Sequence, residues 1–283
     1  MKIVKKVVLT RIRDTRITKI EMHAPLIAVK AKAGQFVVLM VEEKGERIPL
    51  TVVDTDKDRG TITLIFQELG LTTKLLGKLN AGDTLYALVG PMGHSTEIKN
   101  YGKVILIGGG VGIAEIYPVA KAFKDAGNHI ITIIGARTKG LLILEDELKT
   151  ISDELHVVTD DGSYGKKGFT TDILKDIVRG STSSGGRTSN NVLVYAVGPI
   201  PMMKRVSSIT KDFNIKTLVS LNALMVDASG MCGCCRVSIN NEVKFSCVDG
   251  PEFDAHSVDW EELEKRNKIY EEKEKHICKL STK

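Results

Sequence analysis

Short alternating stretches open the chain. Within residues 1–97, apolar side chains recur at near two-residue intervals in ITKIEMHAP, GQFVVLMVE, IPLTVVD and TITLIFQEL, the period of half-buried strands. One stretch has a different period. In LTTKLLGKLNAGD, Leu75, Leu76 and Leu79 share a helical face, and Thr72 or Thr73 stands where an N-cap belongs. The turn GPMG, 90–93, closes this region, and the polar stretch HSTEIKNYG follows it. The pattern predicts an antiparallel β-barrel carrying one short helix.

From Lys103 the pattern changes. KVILIGGGVGIAEIYPVAKAFKDAGNHIITIIGA reads as buried strand, glycine turn, helix and strand, and LHVVTDD and NVLVYAVG continue the alternation. Continuous apolar strands separated by helices mark a parallel sheet covered on both faces. Residues 98–222 are therefore expected to form a doubly wound α/β domain, with RGSTSSGGRTSNN, 179–191, as a flexible surface loop. The remainder, 223–283, holds a cysteine-rich stretch and then a charged helix, VDWEELEKRNKIYEEKEKHICKL. Glu261 and Lys265, and Glu264 and Lys268, stand four residues apart in the favourable orientation. Trp260, Leu263 and Tyr270 are expected on the buried side. The expected fold class is α+β multidomain: antiparallel β-barrel, doubly wound parallel α/β domain, then a small C-terminal segment with a terminal helix.

Composition supports this division and removes some functions. A chain of 283 residues exceeds one small domain, and 42% hydrophobic with 27% charged residues is the balance of a globular protein. The formal charge of +5 comes from lysines scattered among acids, with no arginine-aromatic stripe, so no nucleic-acid partner is expected. MKIVKKVVLTRIRD returns to charge before an apolar segment forms, and VILIGGGVGIA and IITIIGA are too short to span a bilayer. Neither a secretory leader nor a membrane span is expected, and a cytoplasmic, reducing compartment follows. There, five cysteines, four of them within 232–247, point to a metal or cofactor rather than to disulfides.

Asp227, Cys232, Cys235 and Cys247 form D-x4-C-x2-C-x11-C, the plant-type iron-sulfur spacing with aspartate in the first place. Carboxylate and thiolate are both anionic, so the set supplies the formal ligand charge of four cysteines. Tetrahedral zinc on three cysteines and an aspartate stays open, although structural zinc usually uses two short knuckles. Cys234 is expected to point away from the site as a packing residue, and Cys278 to play no part. Upstream, Gly108, Gly109, Gly110 and Gly112 stand between strand and helix, where backbone N–H groups can meet a pyrophosphate. The run does not match G-x-G-x-x-G, and a plain tight turn is the competing reading. Arg47 and Thr51 in GERIPLT suit a diphosphate and ribityl chain, and GLTTK offers a second phosphate cradle at a helix start. Arg47 as a surface arginine and Thr73 as a plain cap are the plainer alternatives.

The order GQF, RIPLT, GLTT, GPMG, GGGVGIA, TDDGSYGKKG and VGPIPMMK resembles the ferredoxin reductase superfamily, flavin barrel first and nicotinamide domain second. The resemblance implies FAD on Arg47, Pro49, Leu50, Thr51, Ile65, Phe66, Gln67, Gly70, Thr72 and Thr73. It implies NAD(P) across Gly108, Gly109, Gly110, Val111, Gly112, Asp160, Asp161, Gly198, Pro199 and Met202. Hydride passes directly between nicotinamide and flavin in such enzymes, so no catalytic side chain is nominated.

MVDASGMCGCCRV is similar to the small (alpha) subunits of NADH-dependent ferredoxin:NADP oxidoreductases, and closely to sulfide dehydrogenase beta subunits. It is more distantly similar to dihydroorotate dehydrogenase electron-transfer subunits, which have cysteine at all four positions. The resemblance implies a 2Fe-2S cluster on Asp227, Cys232, Cys235 and Cys247, and NAD(H) on this subunit. It also implies a larger subunit bearing flavin and 4Fe-4S clusters, through which NADP(H) and ferredoxin enter an electron-bifurcating reaction. Chemistry alone leans to NADP, because Arg137 and Lys139 in GARTKG could meet a 2'-phosphate. Polysulfide reduction, a dihydroorotate dehydrogenase subunit and a zinc-stabilised interaction module are the alternatives.

Overall fold

The computed structural model describes residues 1–12, 15–182 and 191–270. Residues 183–190, within the expected surface loop, and Cys278 lie outside the described residues. The chain forms two compact units. One comprises Met1–Ser95, Ala223–Pro251 and the residues from Asp259; the other comprises Thr96–Asn222 and Glu252–Val258.

The first unit begins with β1 (Lys2–Ile12), β2 (Thr15–His23), α1 (Pro25–Lys30), β3 (Phe36–Met40) and β4 (Ile48–Thr51). It continues with β5 (Asp54–Asp56), β6 (Thr61–Gln67), α2 (Leu71–Lys78) and β7 (Ala87–Met92). The strands make two antiparallel sheets, β1-β2-β6-β5 and β4-β3-β7. Ile20, Met22, Leu39, Ile62, Leu64 and Phe66 pack into one shared core. Each such side chain contributes about 1.5–3 kcal/mol, and a one-residue slip would turn it to solvent, so burial fixes the register. Of the leucines expected on one helical face, Leu76 is fully buried while Leu75 and Leu79 pack partly buried against this core. GPMG is not the expected turn: β7 runs through Gly90, Pro91 and Met92, with Met92 paired to Phe36, and the strand ends just before Gly93.

The second unit holds β8 (Lys103–Gly109), α3 (Gly112–Asp125), β9 (His129–Ala136), α4 (Glu145–Ile151), β10 (Glu154–Thr159) and β11 (Lys166–Lys167). After them come α5 (Thr170–Thr182), β12 (Val192–Val197), α6 (Ile200–Asp212) and β13 (Lys216–Ser220). The chain continues through β14 (Arg236–Ile239), β15 (Glu242–Phe245), β16 (Glu252–Asp254) and α7 (Trp260–Asn267). A seven-stranded sheet runs β11-β10-β9-β8-β12-β13-β16. All its neighbours are parallel except β13 and β16. Strand order reverses between β8 and β12, which is where doubly wound sheets open a ligand crevice at the strands' C-terminal ends. The expected class, an antiparallel β domain and a parallel α/β domain, is the one observed.

Residues 223–258 are divided between the units. β14 pairs with β15 in a hairpin of the first unit, whereas β16 closes the open edge of the second unit's sheet through Leu218↔Asp254 and Ser220↔Glu252. α7 ends at Asn267, so Tyr270 lies past the helix and is 42% exposed, against the expected buried side. Leu263 is buried as expected, and Trp260 half-buried. Among the described residues, no helix is long and apolar enough to cross a membrane.

β16 carries a buried carboxylate. Glu252 Oε1 accepts from Tyr195 Oη at 2.7 Å and from Thr96 Oγ1 at 2.5 Å. Burial pushes the carboxyl above its ordinary range, and the two donors only partly oppose it. A carboxyl raised in the folded state contributes stability below its unfolded pKa, and that contribution is lost as pH rises through the folded value. Glu252→Gln keeps the acceptor oxygen and removes the charge. Urea unfolding across acidic to neutral pH is expected to show the variant gaining on the wild type as pH rises; a constant difference would contradict the buried-charge account.

Candidate functional site

In the first unit, β4 and the end of β6 are packed together, and they carry Pro49, Leu50 and Thr51 beside Ile65, Phe66 and Gln67. Pro49, Leu50, Thr51 and Gln67 are half-buried, and Arg47 is exposed at the entrance to β4. The Phe66 ring lies in the core. What Phe66 can offer a ligand is its main chain. At the start of α2, Thr72 Oγ1 donates to Glu46 Oε2 at 2.7 Å, which draws the residue before Arg47 to the helix N-terminus. Thr73 Oγ1 accepts from Gly70 N–H at 3.1 Å and Leu69 N–H at 3.0 Å. The helix N-cap is Gly70, not Thr72 or Thr73. A Cβ on Gly70 would meet nothing within 4 Å, which leaves open space at a helix start beside an arginine, a setting fit for a phosphate.

The second unit gathers its candidates at the C-terminal ends of adjacent parallel strands. Gly108 to Gly112 follow β8, Arg137 follows β9, Asp160 and Asp161 follow β10, and Gly198 to Met202 follow β12. The glycines divide into two kinds. A Cβ on Gly112 would stand 2.5 Å from the carbonyl oxygen of Val197, and one on Gly109 would stand 2.6 Å from Met202 Sδ. These positions need glycine for close packing, and Met202 itself packs over Gly109 and Gly198. Gly110 differs: its φ is +60° and a Cβ would meet nothing within 4 Å. Open space lies there, just before Val111 at the N-cap of α3, while Gly110 N–H itself donates to the Gly135 carbonyl at 2.9 Å. Pro199 N-caps α6 in the matching place after β12.

Arg137, Asp160 and Asp161 are exposed. Asp160 N–H and Asp161 N–H donate to Ala136 and Arg137 carbonyls at 3.1 and 3.2 Å, so the three lie together. Hydrogen bonds from Ser163 hold the Asp161 carboxyl below its ordinary range. Lys139 Nζ sits over the Tyr164 ring, 4.7 Å from its centroid, and Tyr164 Oη donates to Glu145 Oε1 at 2.8 Å. Neither Tyr164 nor Glu145 was singled out in the sequence: Tyr164 stands inside TDDGSYGKKG without a role of its own, and Glu145 lies outside the quoted motifs.

The cysteine-rich loop belongs to the first unit. Cys235 and Cys247 are buried with their sulfurs 3.2 Å apart. Two thiolates on one tetrahedral ion stand roughly 3.8 Å apart for bonds of about 2.3 Å, so this pair fits a shared metal after a small relaxation. Burial and Cys235 push the Cys247 thiol up to about 12. Such a thiol ionises readily only if a cation joins it. Ser246, between β15 and Cys247, has a fully buried hydroxyl with no partner, a donor left waiting for an acceptor. These features fit an iron-sulfur or zinc centre.

The remaining ligand candidates lie on the exposed side. Asp227 Oδ1 accepts from Ser229 N–H at 2.8 Å and Oδ2 from Cys232 N–H at 3.1 Å. Those bonds, that from Ser229 first, hold its carboxyl below the ordinary range. Among the described residues, no three histidine, cysteine, aspartate or glutamate side chains converge closely enough to hold an ion. Cys234 does not point away from the set. Its thiol, raised first by burial, is hydrogen-bonded with Cys232. Gly233, at φ +67°, turns the chain between them and brings both thiols to one side.

Residues 1–96 match an oxidoreductase FAD-binding domain, 106–208 an oxidoreductase NAD-binding domain, and 222–259 the iron-sulfur cluster binding domain of dihydroorotate dehydrogenase B. The chain is 49% identical over 254 residues to a dihydroorotate dehydrogenase B (NAD(+)) electron transfer subunit homolog of Thermotoga maritima, covering 90% of this chain and 87% of that one. It is 30% identical to the corresponding electron transfer subunit of Fusobacterium nucleatum, over 81% of this chain and 87% of that one. A chain from the solved NADH-dependent reduced ferredoxin-NADP oxidoreductase, studied for flavin-based electron bifurcation, superposes with a TM-score of 0.87. That likeness has 46% identity and covers 100% of this chain and 98% of the other. On fold, site and likeness together, the chain belongs to the ferredoxin reductase-like family of electron-transfer subunits that join an FAD-binding domain, an NAD-binding domain and an iron-sulfur binding domain.

Proposed function

We propose that this chain is the electron-transfer subunit of an electron-bifurcating NADH-dependent ferredoxin:NADP oxidoreductase. The observation that carries this reading is the likeness to that enzyme's chain over 100% of the present one, with aspartate at the first ligand position. A larger subunit bearing flavin and 4Fe-4S clusters would exchange electrons with it and give access to NADP(H) and ferredoxin. When bound, FAD exchanges hydride with NAD(H), and a 2Fe-2S cluster passes electrons singly.

The chain's own part is to bind and orient. Arg47, with the open N-terminus of α2 at Gly70, would hold the FAD diphosphate, and Pro49, Leu50, Thr51, Ile65 and Gln67 would line the rest of its site. Gly110 and the N-terminus of α3 would hold the nicotinamide dinucleotide's pyrophosphate, with Asp160 and Asp161 near the adenosine end. Two details support NAD(H) over NADP(H). Lys139 is engaged with Tyr164, which bonds Glu145, and the Asp160 and Asp161 backbone is held against Ala136 and Arg137, which sets two carboxylate residues beside Arg137 that would oppose a further phosphate. Asp227, Cys232, Cys235 and Cys247 would hold the cluster. No side chain is required as acid or base in hydride exchange.

A second reading is favoured by the match of 222–259 to the dihydroorotate dehydrogenase B cluster domain. The partner separates the two. Native pull-down of the tagged chain is expected to recover a larger flavin and 4Fe-4S protein, whereas recovery of a dihydroorotate-oxidising flavoprotein would establish the second reading. NADH is expected to bleach the flavin absorbance faster than NADPH in stopped-flow mixing, and a clear NADPH preference would defeat the assignment of NAD(H).

Two sets of variants test the residues. Gly110→Val should weaken NADH saturation while leaving the flavin spectrum intact. Gly112→Ala should instead lose about 1–3 kcal/mol of stability through overpacking against Val197, measured by urea unfolding. Cys235→Ala should lose iron and the EPR signal of the reduced protein, and Cys234→Ser should retain both. The reverse result would exchange Cys234 for a residue of the assigned set.

A further inference from the structure

The last turn of α7 holds the cysteine-rich loop from behind. Arg266 Nη2 donates to the Cys234 carbonyl at 3.1 Å, and Asn267 Oδ1 accepts from Leu224 N–H at 3.3 Å. The other end of the helix is fixed as well. Asp259 N–H donates to Ser238 O at 2.9 Å, Asp259 Oδ1 caps Glu262 N–H at 2.9 Å, and Leu263 is buried. A helix anchored at both ends therefore delivers a half-buried guanidinium onto the peptide joining Cys234 and Cys235.

That position matters because the loop gathers negative charge. One carboxylate and three thiolates would gather on the loop whose backbone this guanidinium holds. Arg236 is the other arginine at hand. It is exposed, and its bond from Nη1 to Gly233 O is long at 3.4 Å, so solvent screens it more strongly.

We propose that Arg266 is the positioning residue that sets the redox potential of the iron-sulfur loop, by fixing the Cys234–Cys235 peptide and placing a cation against the anionic ligand set. The proposal rests on reading the loop as an iron-sulfur site. Uptake of one electron there, supplied by reduced flavin, adds one negative charge and neither makes nor breaks a bond to the protein. A fixed cation beside the site favours that more negative form, as charge and hydrogen bonding around such sites do generally. Removing the cation makes reduction harder.

The test uses the full chain as wild type, Arg266→Gln, Arg266→Lys and Arg236→Gln. Iron, sulfide and zinc are assayed first, and the midpoint potential is then read by EPR-monitored titration with mediators. Arg266→Gln is expected to titrate at a more negative potential than wild type, Arg266→Lys nearer to wild type, and Arg236→Gln close to wild type. An unchanged potential in iron-loaded Arg266→Gln overturns the proposal. So does an equal displacement in Arg266→Gln and Arg266→Lys, because charge would then not be the agent. If Arg266→Gln does not retain iron, Arg266→Lys decides: a loaded site near the wild-type potential supports the proposal, and one far below it overturns it. Wild-type protein holding zinc and no iron would overturn the reading of the loop itself, a failure seen before any variant is compared.

Discussion

Close approach of backbone to backbone at the junction of β8 and β12 is the constraint on which the nucleotide domain depends. Gly112 lies against the Val197 carbonyl, and Gly109 and Gly198 lie under the Met202 thioether. A methyl group at any of these points would force the strands or helices apart. Gly110 is left as the uncrowded point, where a Cβ would meet nothing within 4 Å, so close packing and open space come from one glycine run divided between two tasks. A sheet whose order reverses at this point has its crevice there for topological reasons.

Charge is handled differently at the two kinds of proposed site. The proposed diphosphate cradles would rely on helix N-termini, one of them with the exposed Arg47. The cysteine-rich loop buries Cys235 and Cys247 side by side, and burial resists ionisation of Cys247 until a cation arrives. Its supports are fixed ones: a helix anchored at Asp259, a guanidinium at Arg266 and a hairpin whose Ser246 N–H bonds Cys235 O at 3.0 Å. Exchangeable ligands meet open backbone, and the resident group meets a braced loop.

Much of this was legible in the chain because the apolar period was clean. β2, β3, β6, β8, β9, β10 and β12 fall where alternation or continuous apolar runs place them. β1 was not foreseen, because its pairing slips at Ile3/Lys5 and Val8/Thr10 and these shifts scramble a two-residue period already crowded with lysine. β16 was hidden for another reason: three residues, Glu252 to Asp254, have no local signal, and their strand exists through pairing with β13 far upstream. At the site, spacing nominated Asp227 and three cysteines, of which the structure brings Cys235 and Cys247 together. Spacing could not show that Gly233 turns Cys234 toward Cys232, nor that Thr73 spends its hydroxyl on its own helix. Arg266 and Glu46 act through contacts between distant segments and carry no motif.

The ligand role proposed for Asp227 is compatible with a plain structural role of the same side chain. Its two oxygens accept from Ser229 and Cys232 N–H groups, so the carboxylate shapes the loop with no ion present. A thiol is a weak acceptor and could not bridge two N–H groups in this way. Each carboxylate oxygen keeps a further acceptor site after one hydrogen bond, so shaping the loop does not use up its capacity to bind a metal. As the proposed first ligand, aspartate would give up the soft donor of a thiolate and gain a loop partly organised before the metal arrives. The cost of ordering that loop is then met during folding rather than at assembly.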